Sequence, residues 1–197
     1  MSQKFPQVYL ARHGETEWSL SGQHTGRTDI PLTAKGEDNA RKLGVRLKGL
    51  TFGKVFTSPL VRAKRTSALA GFSTAVDDPD LMEWNYGDYE GVKTADIRKA
   101  RPDWQLFRDG CPNGESAADV GARCDRLIGR VSAVSGDVLL FAHGHVLRVL
   151  AARWIGLPAS DGRRFILGTA ALCVLGYEHN LEEPVVRLWN DTSHVGA

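Results

Sequence analysis

The sequence has few cysteines, no large excess of charge of either sign and no long hydrophobic run. Its three cysteines, Cys111, Cys124 and Cys173, are widely spaced and form no CxxC pair, so neither a disulfide framework nor a zinc site is expected. A formal net charge of +2 is too weak to favour nucleic acid or a membrane surface as a partner. The N-terminal segment MSQKFPQVYL lacks the apolar core of a signal peptide. These absences predict a cytoplasmic protein.

Short apolar runs alternate with longer helical patterns along the 197 residues. This length suits one domain with a sizeable core, so we predict a single domain over residues 1–197. Helices are expected where a capping residue precedes an apolar stripe, as at Thr33 and Ser116. Strands that alternate with helices predict an α/β layered fold with a mainly parallel sheet. The predicted strands are residues 7–11, 55–57, 73–76, 138–142, 171–176 and 185–189, and the predicted helices are about 34–48, 62–70, 117–134 and 145–154.

Residues 83–115 have a different composition from the rest of the chain. They are polar and rich in aromatic residues, which include Trp84, Tyr86, Trp104 and Phe107. We interpret them as a lid-like excursion over the sheet and not as a second domain.

Two of the predicted strands end in a histidine followed by a glycine. The first is followed by Arg12-His13-Gly14 and the other by His143-Gly144. Ligands of open α/β sheets bind beyond the carboxyl ends of the strands, so the two histidines could converge on one site. The glycines would let the backbone approach a ligand, and a helix that begins at His145 would attract an anion.

Two further stretches place charged side chains where they could join that site. In TSPLVRAKRT, Arg62 lies in the first turn of a helix that follows a strand. In LMEWNYGDYEG, Glu83 lies among apolar neighbours, which favour a protonated carboxyl group and suit a general acid. Each residue taken alone has an ordinary structural explanation, such as an ion pair or a surface charge.

Taken in order, RHGET at 12–16, Arg62, Glu83 and AHGH at 142–145 resemble the histidine phosphatase superfamily, also called phosphoglycerate-mutase-like. The resemblance covers the chain from Arg12 to about Arg153. It implies a three-layer α/β/α sandwich with a mainly parallel central sheet and a site at the carboxyl edge of that sheet. It also implies a phosphoric monoester hydrolase that works through a phosphohistidine, without a metal or another cofactor.

The same resemblance assigns catalytic roles to five residues. His13 matches the nucleophile, whose neutral imidazole attacks phosphorus. Glu83 matches the proton donor, which protonates the leaving alkoxide and later deprotonates the attacking water. Arg12, Arg62 and His143 match the phosphate clamp, which neutralises the charge that develops on the phosphoryl oxygens.

The superfamily contains both phosphatases and mutases, and the sequence favours a phosphatase. Cofactor-dependent phosphoglycerate mutases carry a long insertion after the proton donor, whereas only residues 92–114 stand there in this chain. A short cover admits water and favours hydrolysis of the phosphoenzyme. The mutases also have Asn where this chain has Ser19. A mutase stays the alternative, and a non-catalytic phospho-ligand binding module is disfavoured because His13 and Glu83 are both present.

Finer similarity points to the branch of sedoheptulose-1,7-bisphosphatase and related broad-specificity phosphatases. It rests on SGQHTGRTDIPLT, EWNYGDYEG and FRDGCPNGES, and it implies sugar phosphates or bisphosphates as substrates. Trp18, Trp84 and Tyr86 would contact a sugar, while Arg27 and Arg108 would bind a second anionic group. Aromatic lid packing and solvated arginines are the alternative. The predicted substrate-binding residues are Thr16, Ser19, Thr25, Gly26, Arg27, Trp84, Tyr86, Arg108, Gly144 and His145.

The remaining expectations concern partners and the other histidines. We expect a small phosphorylated metabolite as ligand, a homodimer as one possible assembly, and neither nucleic acid nor a membrane as partner. No metal site is expected. His24, His179 and His194 are expected to be structural or exposed.

Overall fold

A computed structural model describes residues 5–196, and within them six strands form one sheet. The order across the sheet is β3-β2-β4-β1-β5-β6. The strands β3, β2, β4 and β1 run parallel to one another, whereas β5 is antiparallel to β1, and β6 is antiparallel to β5. The strands are β1 Val8–Arg12, β2 Lys54–Thr57, β3 Val76–Asp77, β4 Val138–Ala142, β5 Leu172–Tyr177 and β6 Pro184–Asp191.

Helices cover both faces of this sheet, which confirms the predicted α/β/α architecture. Helices α2 Ala34–Arg46 and α3 Val61–Leu69 lie on one face, and α6 Ala117–Ser132 and α7 Gly144–Trp154 lie on the other. None of the helices in the described part of the chain is long and apolar enough to cross a membrane. The shorter helices are α1 Glu17–Ser21, α4 Thr94–Ala100 and α5 Leu106–Asp109, with 3-10 turns at Pro79–Leu81, Gly87–Tyr89, Ala159–Arg164 and Ser193–Val195.

Strands β1 and β4 form the centre of the sheet and supply side chains to both cores. Successive side chains of a strand point to opposite faces. Leu10 and Leu140 therefore face the core shared with α6 and α7, whereas Ala11 and Phe141 face the smaller core that contains Leu43 of α2. Every residue of β4 is buried, as its uninterrupted apolar sequence predicted.

The two predicted helix caps are confirmed. The Thr33 hydroxyl accepts a hydrogen bond from the Gly36 N–H at 3.0 Å and begins α2. Ser116 and Asp119 form a reciprocal capping box at the start of α6. Both helices end slightly earlier than predicted, at Arg46 and Ser132.

The structure departs from the sequence-based expectations at the edge strand and in the excursion. Strand β3 covers only Val76–Asp77, whereas residues 73–76 were predicted. Residues 71–75 form a turn instead, in which the Ala75 N–H donates a hydrogen bond to the Phe72 carbonyl. The excursion of residues 83–115 contains α4 and α5, neither of which was predicted. Its aromatic side chains are buried in the same core as α6 and α7, so burial of apolar area attaches this segment to the sheet.

A close contact between two glycines seats α2 against the end of β1. A β-carbon on Gly14 would lie 2.3 Å from the Gly36 carbonyl oxygen, and one on Gly36 would lie 2.2 Å from the Glu15 carbonyl oxygen. Neither position has room for a side chain. Gly14 therefore allows the backbone to approach the helix, and not a ligand as the sequence had suggested.

We expect Gly36→Ala to lower the free energy of unfolding by about 3 kcal/mol, because the new methyl group would meet backbone atoms that cannot rotate away. The measurement is equilibrium unfolding in urea. Gly129→Ala is the matched control, since Gly129 also lies inside a helix but has no heavy atom within 4 Å of its ideal β-carbon. That variant should gain about 0.5–1 kcal/mol from helix propensity. Equal effects in the two variants would contradict the contact.

Candidate active site

A cleft of about 400 Å³ opens where β1 and β4 end. The two predicted strand-end motifs meet beside it, since the His13 N–H donates to the Ala142 carbonyl at 2.9 Å and the rings of His13 and His143 have their centroids 5.1 Å apart. The sequence-predicted residues that line the cleft are Arg12, His13, Trp18, Ser19, Thr25, Glu83, Tyr86, Gly144 and His145.

His13 is held in one tautomer and kept neutral. Its Nδ1 lies 2.7 Å from the Gly14 carbonyl oxygen, which can only accept, so Nδ1 carries the proton and Nε2 has a free lone pair. Burial lowers the pKa of His13 well below 6.5, and the nearby cations Arg62 and Arg12 lower it further. A neutral imidazole with one free nitrogen is the form that can act as a nucleophile.

The guanidinium of Arg12 lies beside His13 with part of its hydrogen-bonding capacity unused. Nη1 donates to the Leu167 carbonyl at 2.5 Å, whereas Nε is buried and has no hydrogen-bond partner among residues 5–196. Gly144 is a close neighbour of this side chain, since a β-carbon there would lie 3.4 Å from Arg12 Cζ, an ordinary van der Waals contact. Arg12 thus lines the cleft with part of its donor set unpaired within residues 5–196, and Gly144 lines the cleft next to it.

Arg62 and His143 lie behind the cleft surface, and both are fully buried. The Arg62 Nε donates to His143 Nδ1 at 3.1 Å, which leaves the proton of His143 on Nε2, where it donates to Ser58 Oγ at 2.8 Å. Burial and the Arg62 charge lower the pKa of His143 well below 6.5. The structure therefore brings these two predicted clamp residues next to His13, but the hydrogen bonds that Arg62 Nε and His143 Nε2 donate are made to other protein groups. Their direct contact with a phosphate stays a prediction.

The loop of residues 25–28 is held from two sides. Arg62 donates to the carbonyls of Thr25, Gly26 and Thr28 at 2.8–3.1 Å. On the other side, the Glu90 carboxylate accepts from the backbone N–H groups of residues 26, 27 and 28 at 2.8–3.3 Å. A buried arginine and a carboxylate therefore fix the wall of the cleft that carries Thr25.

Glu83 lies at the N-terminus of α7, in more polar surroundings than the sequence suggested. Its two oxygens accept hydrogen bonds from the backbone N–H groups of Trp84, His145 and Val146 at 2.8–3.0 Å. The expected apolar neighbours are present, but the tertiary fold adds a helix terminus. These three bonds hold the Glu83 carboxylate in place in the lining of the cleft.

A buried arginine braces the segment that carries Glu83. Arg123 donates to the carbonyls of Asp80 and Met82 at 2.6–2.7 Å and to the carboxylate of Glu115 at 2.9 Å. The Glu115 carboxylate in turn accepts from the Asn85 N–H at 2.7 Å. Backbone atoms on both sides of Glu83 are therefore tied to one ion pair.

Tyr86 and His145 form a neutral pair in the wall of the cleft. The Tyr86 hydroxyl lies 2.5 Å from His145 Nδ1. Burial raises the pKa of Tyr86 well above 10, and burial together with Arg148 lowers the pKa of His145 well below 6.5. The phenol therefore donates to Nδ1, and the remaining proton of His145 is on Nε2.

Several residues that line the cleft were not predicted from the sequence. His24, expected to be structural or exposed, is buried, and its Nδ1–H donates to the Val92 carbonyl at 2.7 Å; its place in the cleft lining was not predicted. Arg148 had a usable signal, because it lies three residues after His145 and shares a face of α7 with it. The lining residues without such a signal include Trp104, Phe107, Arg98 and Arg163.

Five of the predicted substrate-binding residues do not line the cleft. Trp84 is fully buried, and its indole N–H donates to the Glu115 carbonyl. Arg27 pairs with Glu115 at 3.8 Å, and Arg108 is exposed and pairs with Asp109 at 2.8 Å. Thr16 caps α1, and Gly26 lies where a β-carbon would be 2.5 Å from the Trp84 carbonyl oxygen and a Glu90 carboxylate oxygen. All five side chains or positions are therefore engaged in packing or in local polar contacts within the protein.

The remaining histidines lie outside the cleft lining. His179 is exposed, as expected, and its Nδ1 lies 2.7 Å from a Glu183 carboxylate oxygen. Within residues 5–196, the group with metal-binding spacing is Glu178, His179 and Glu183, and all three are exposed. His194 is half-buried and donates to the Ala170 carbonyl.

Comparison with known proteins places this site in a family. A sequence model of the histidine phosphatase superfamily, branch 1, matches residues 8–192. The chain is 40% identical to an acid phosphatase of Mycobacterium tuberculosis, over 91% of this chain and 90% of that protein. It is 34% identical to sedoheptulose 1,7-bisphosphatase of Saccharomyces cerevisiae, over 93% of this chain and 92% of that protein.

A solved structure supports the same assignment. The product of an open reading frame of Mycobacterium tuberculosis has a TM-score of 0.90 at 38% identity, covering 95% of this chain and 98% of that one. The chain therefore belongs to the histidine phosphatase superfamily. This confirms the predicted family and its enzyme class, a phosphoric monoester hydrolase.

The neutral buried histidines predict how stability depends on pH. In the folded state His13 and His143 have a pKa well below 6.5, so below that pH the unfolded chain binds more protons than the native protein. Stability is therefore highest above pH 6.5 and falls as the pH drops below it. Each such histidine contributes a slope of up to about 1.4 kcal/mol per pH unit. Urea unfolding between about pH 5 and pH 7.5, above the carboxylate range, measures it.

His143→Asn should flatten this slope by about one proton, whatever its effect on absolute stability. His179→Asn is the control with the opposite sign, because Glu183 raises the pKa of His179 and its contribution is lost as the pH rises. Removing His179 should therefore leave the slope as steep as before, or steeper. If the stability of the wild-type protein did not change with pH in this range, His13 and His143 could not both be buried in the neutral form.

Proposed function

We propose that this histidine phosphatase hydrolyses phosphomonoesters of small metabolites, sugar phosphates among them, through a phosphohistidine on His13 and without a metal. One observation carries the proposal. A buried neutral imidazole with a free Nε2 lies beside an arginine whose buried Nε has no hydrogen-bond partner among residues 5–196. The first group suits attack on phosphorus, and the second suits an anion.

In the first step the phosphate of the substrate binds at Arg12, and His13 Nε2 attacks phosphorus in line with the leaving oxygen. The N–P bond forms as the P–O bond to the leaving group breaks. The leaving alkoxide takes a proton from the carboxyl group of Glu83, which lines the same cleft. Arg12 stabilises the charge on the phosphoryl oxygens during the transfer.

In the second step the roles reverse. The Glu83 carboxylate takes a proton from a water molecule, the water oxygen attacks phosphorus, and the N–P bond breaks. Inorganic phosphate leaves, and His13 returns to its neutral form because its Nδ1–H bond to the Gly14 carbonyl has been kept throughout.

The size of the cleft and the relatives support a small phosphorylated metabolite as substrate. About 400 Å³ is within the range for small-molecule sites. One relative is named an acid phosphatase and another a sugar bisphosphatase. The cytoplasmic location and the homodimer stay predictions.

The first test is phosphate release from a panel of phosphorylated sugars and glycolytic acids in the presence of EDTA. We expect EDTA-resistant hydrolysis that falls at least about a thousand-fold in His13→Asn, because the nucleophile is lost. His179→Asn makes the same chemical change at an exposed site outside the cleft and should retain wild-type rates. Loss of activity with EDTA would overturn the metal-independent mechanism.

The same panel separates the phosphatase from the alternatives. Conversion of 3-phosphoglycerate to its 2-isomer is followed after priming with 2,3-bisphosphoglycerate. We expect hydrolysis to exceed isomerisation. Efficient isomerisation with little hydrolysis would make the protein a mutase, and silence in both assays would favour a non-catalytic binding module.

Glu83→Gln tests the proton donor through its dependence on the leaving group. Phosphoenzyme formation from a sugar phosphate should slow by about 10²–10⁴-fold, since an alkoxide needs a proton. Formation from 4-nitrophenyl phosphate should slow much less, since nitrophenolate leaves without one. Single-turnover rapid quench measures both rates, and Glu182→Gln at an exposed site is the control. Equal losses for the two substrates would rule out the assigned role.

A further inference from the structure

The charged side chains that line the cleft are mostly cationic. They comprise the four arginines Arg12, Arg98, Arg148 and Arg163 and a single carboxylate, that of Glu83. The lining histidines add no charge, because burial lowers the pKa of His13, His24 and His145. One phosphate group at Arg12 would leave three guanidinium groups without a ligand partner.

We propose that Arg148, with Arg98 and Arg163, forms a second anion subsite in this cleft, so that the preferred substrates carry a second anionic group besides the phosphate that is cleaved. That group is a carboxylate or a second phosphate. The inference rests on the proposed phosphatase function and names the class of substrate and the residues that select it. The guanidinium fork matches both kinds of anion.

Arg148 is the anchor of this subsite because its guanidinium is held in place before any ligand binds. Nε donates to the Gly162 carbonyl at 3.0 Å, and Nη2 donates to the Arg163 carbonyl at 3.2 Å. Its Cζ lies 4.7 Å from the centre of the Phe107 ring. Nε and Nη2 are therefore engaged in bonds that orient the guanidinium, whereas Nη1 is available to a ligand. A cation that is already oriented loses little entropy on binding.

Arg98 and Arg163 reach the cleft from two other elements, α4 and the turn Ala159–Arg164. Arg98 Nε donates to the Trp104 carbonyl at 3.1 Å. Arg163 is 3.8 Å from Asp161, which is closer to Arg164, at 2.9 Å. Within the described chain an acidic partner is found at Arg163 but at neither Arg98 nor Arg148. Three elements of the fold therefore each contribute an arginine to the cleft, and nearby carboxylates neutralise little of that positive charge.

The arginines that the sequence suggested for this role are engaged elsewhere. Arg27 and Arg108 do not line the cleft, and each has a carboxylate partner, Glu115 and Asp109. The positions that select a second anion are therefore those on α4, α7 and the turn that follows α7.

The test compares pairs of substrates that differ in one anionic group. The first pair is 3-phosphoglycerate and glycerol 3-phosphate, which differ in a carboxylate. The second pair is fructose 1,6-bisphosphate and fructose 6-phosphate, which differ in a phosphate. We expect kcat/KM to be higher for the bis-anionic member of at least one pair, and the pair that shows the larger ratio identifies the second group.

In Arg148→Gln that ratio should fall about ten-fold, because one charge-assisted contact is lost, with smaller falls in Arg98→Gln and Arg163→Gln. Arg41→Gln on the outer surface of α2 is the control and should keep the wild-type ratio. Arg98 and Arg163 are exposed, so these variants remain informative if Arg148→Gln does not fold.

Binding to the His13→Asn variant gives a readout that does not need turnover. Calorimetric titration should show tighter binding of 3-phosphoglycerate or fructose 1,6-bisphosphate than of its mono-anionic partner, and the preference should be lost when Arg148→Gln is added. Hydrolysis of 4-nitrophenyl phosphate without any such preference would overturn the subsite and leave the proposed phosphatase intact. Preferential binding without hydrolysis of any substrate would support the subsite and overturn the proposed phosphatase function.

Discussion

The site depends on a buried arginine, Arg62, for which residues 5–196 provide no carboxylate at ion-pair distance. Arg62 is fully buried, so its donors must find acceptors inside the protein, and they find the carbonyls of residues 25, 26 and 28 and the Nδ1 of His143. The same bonds shape the loop at the cleft wall and set the tautomer of His143. The charge also lowers the pKa of His13. Arg62 therefore holds the loop at the cleft wall, sets the tautomer of the His143 ring and helps to keep the His13 nucleophile neutral.

Neutral histidines are the second consequence of that arrangement. His13, His143 and His145 are buried and lie near arginines, and both the burial and the positive charges disfavour the imidazolium form. Each then needs one defined proton position, which is set by the Gly14 carbonyl, Arg62 Nε and the Tyr86 hydroxyl in turn. The cleft therefore combines fixed positive charge on arginines with uncharged imidazoles. That combination suits attack on an anionic phosphate by a nucleophile that must not itself be protonated.

Sequence reasoning worked best where a residue type and its local context fully define a role. The strand ends at Arg12 and His143, the caps at Thr33 and Ser116 and the all-buried strand β4 are local patterns, and the structure shows each of them. It worked less well for the excursion, where aromatic residues suggested a ligand-facing surface. Trp84 is instead part of the main core, because a large apolar side chain is stabilised most by full burial.

The sequence by itself determined the family, the layered fold and the set of residues that meet at the ends of β1 and β4, because periodicity and strand-end motifs are short-range information. Only the tertiary structure decided which cations reach the cleft. Arg27 and Arg108 are near candidate motifs in sequence but pair with Glu115 and Asp109, whereas Arg98, Arg148 and Arg163 come together from separate elements. The surroundings of Glu83 were settled in the same way, since the N–H groups it accepts from at His145 and Val146 lie more than 60 residues away along the chain. Contacts between distant segments depend on how helices pack on the sheet, and no local pattern encodes that packing.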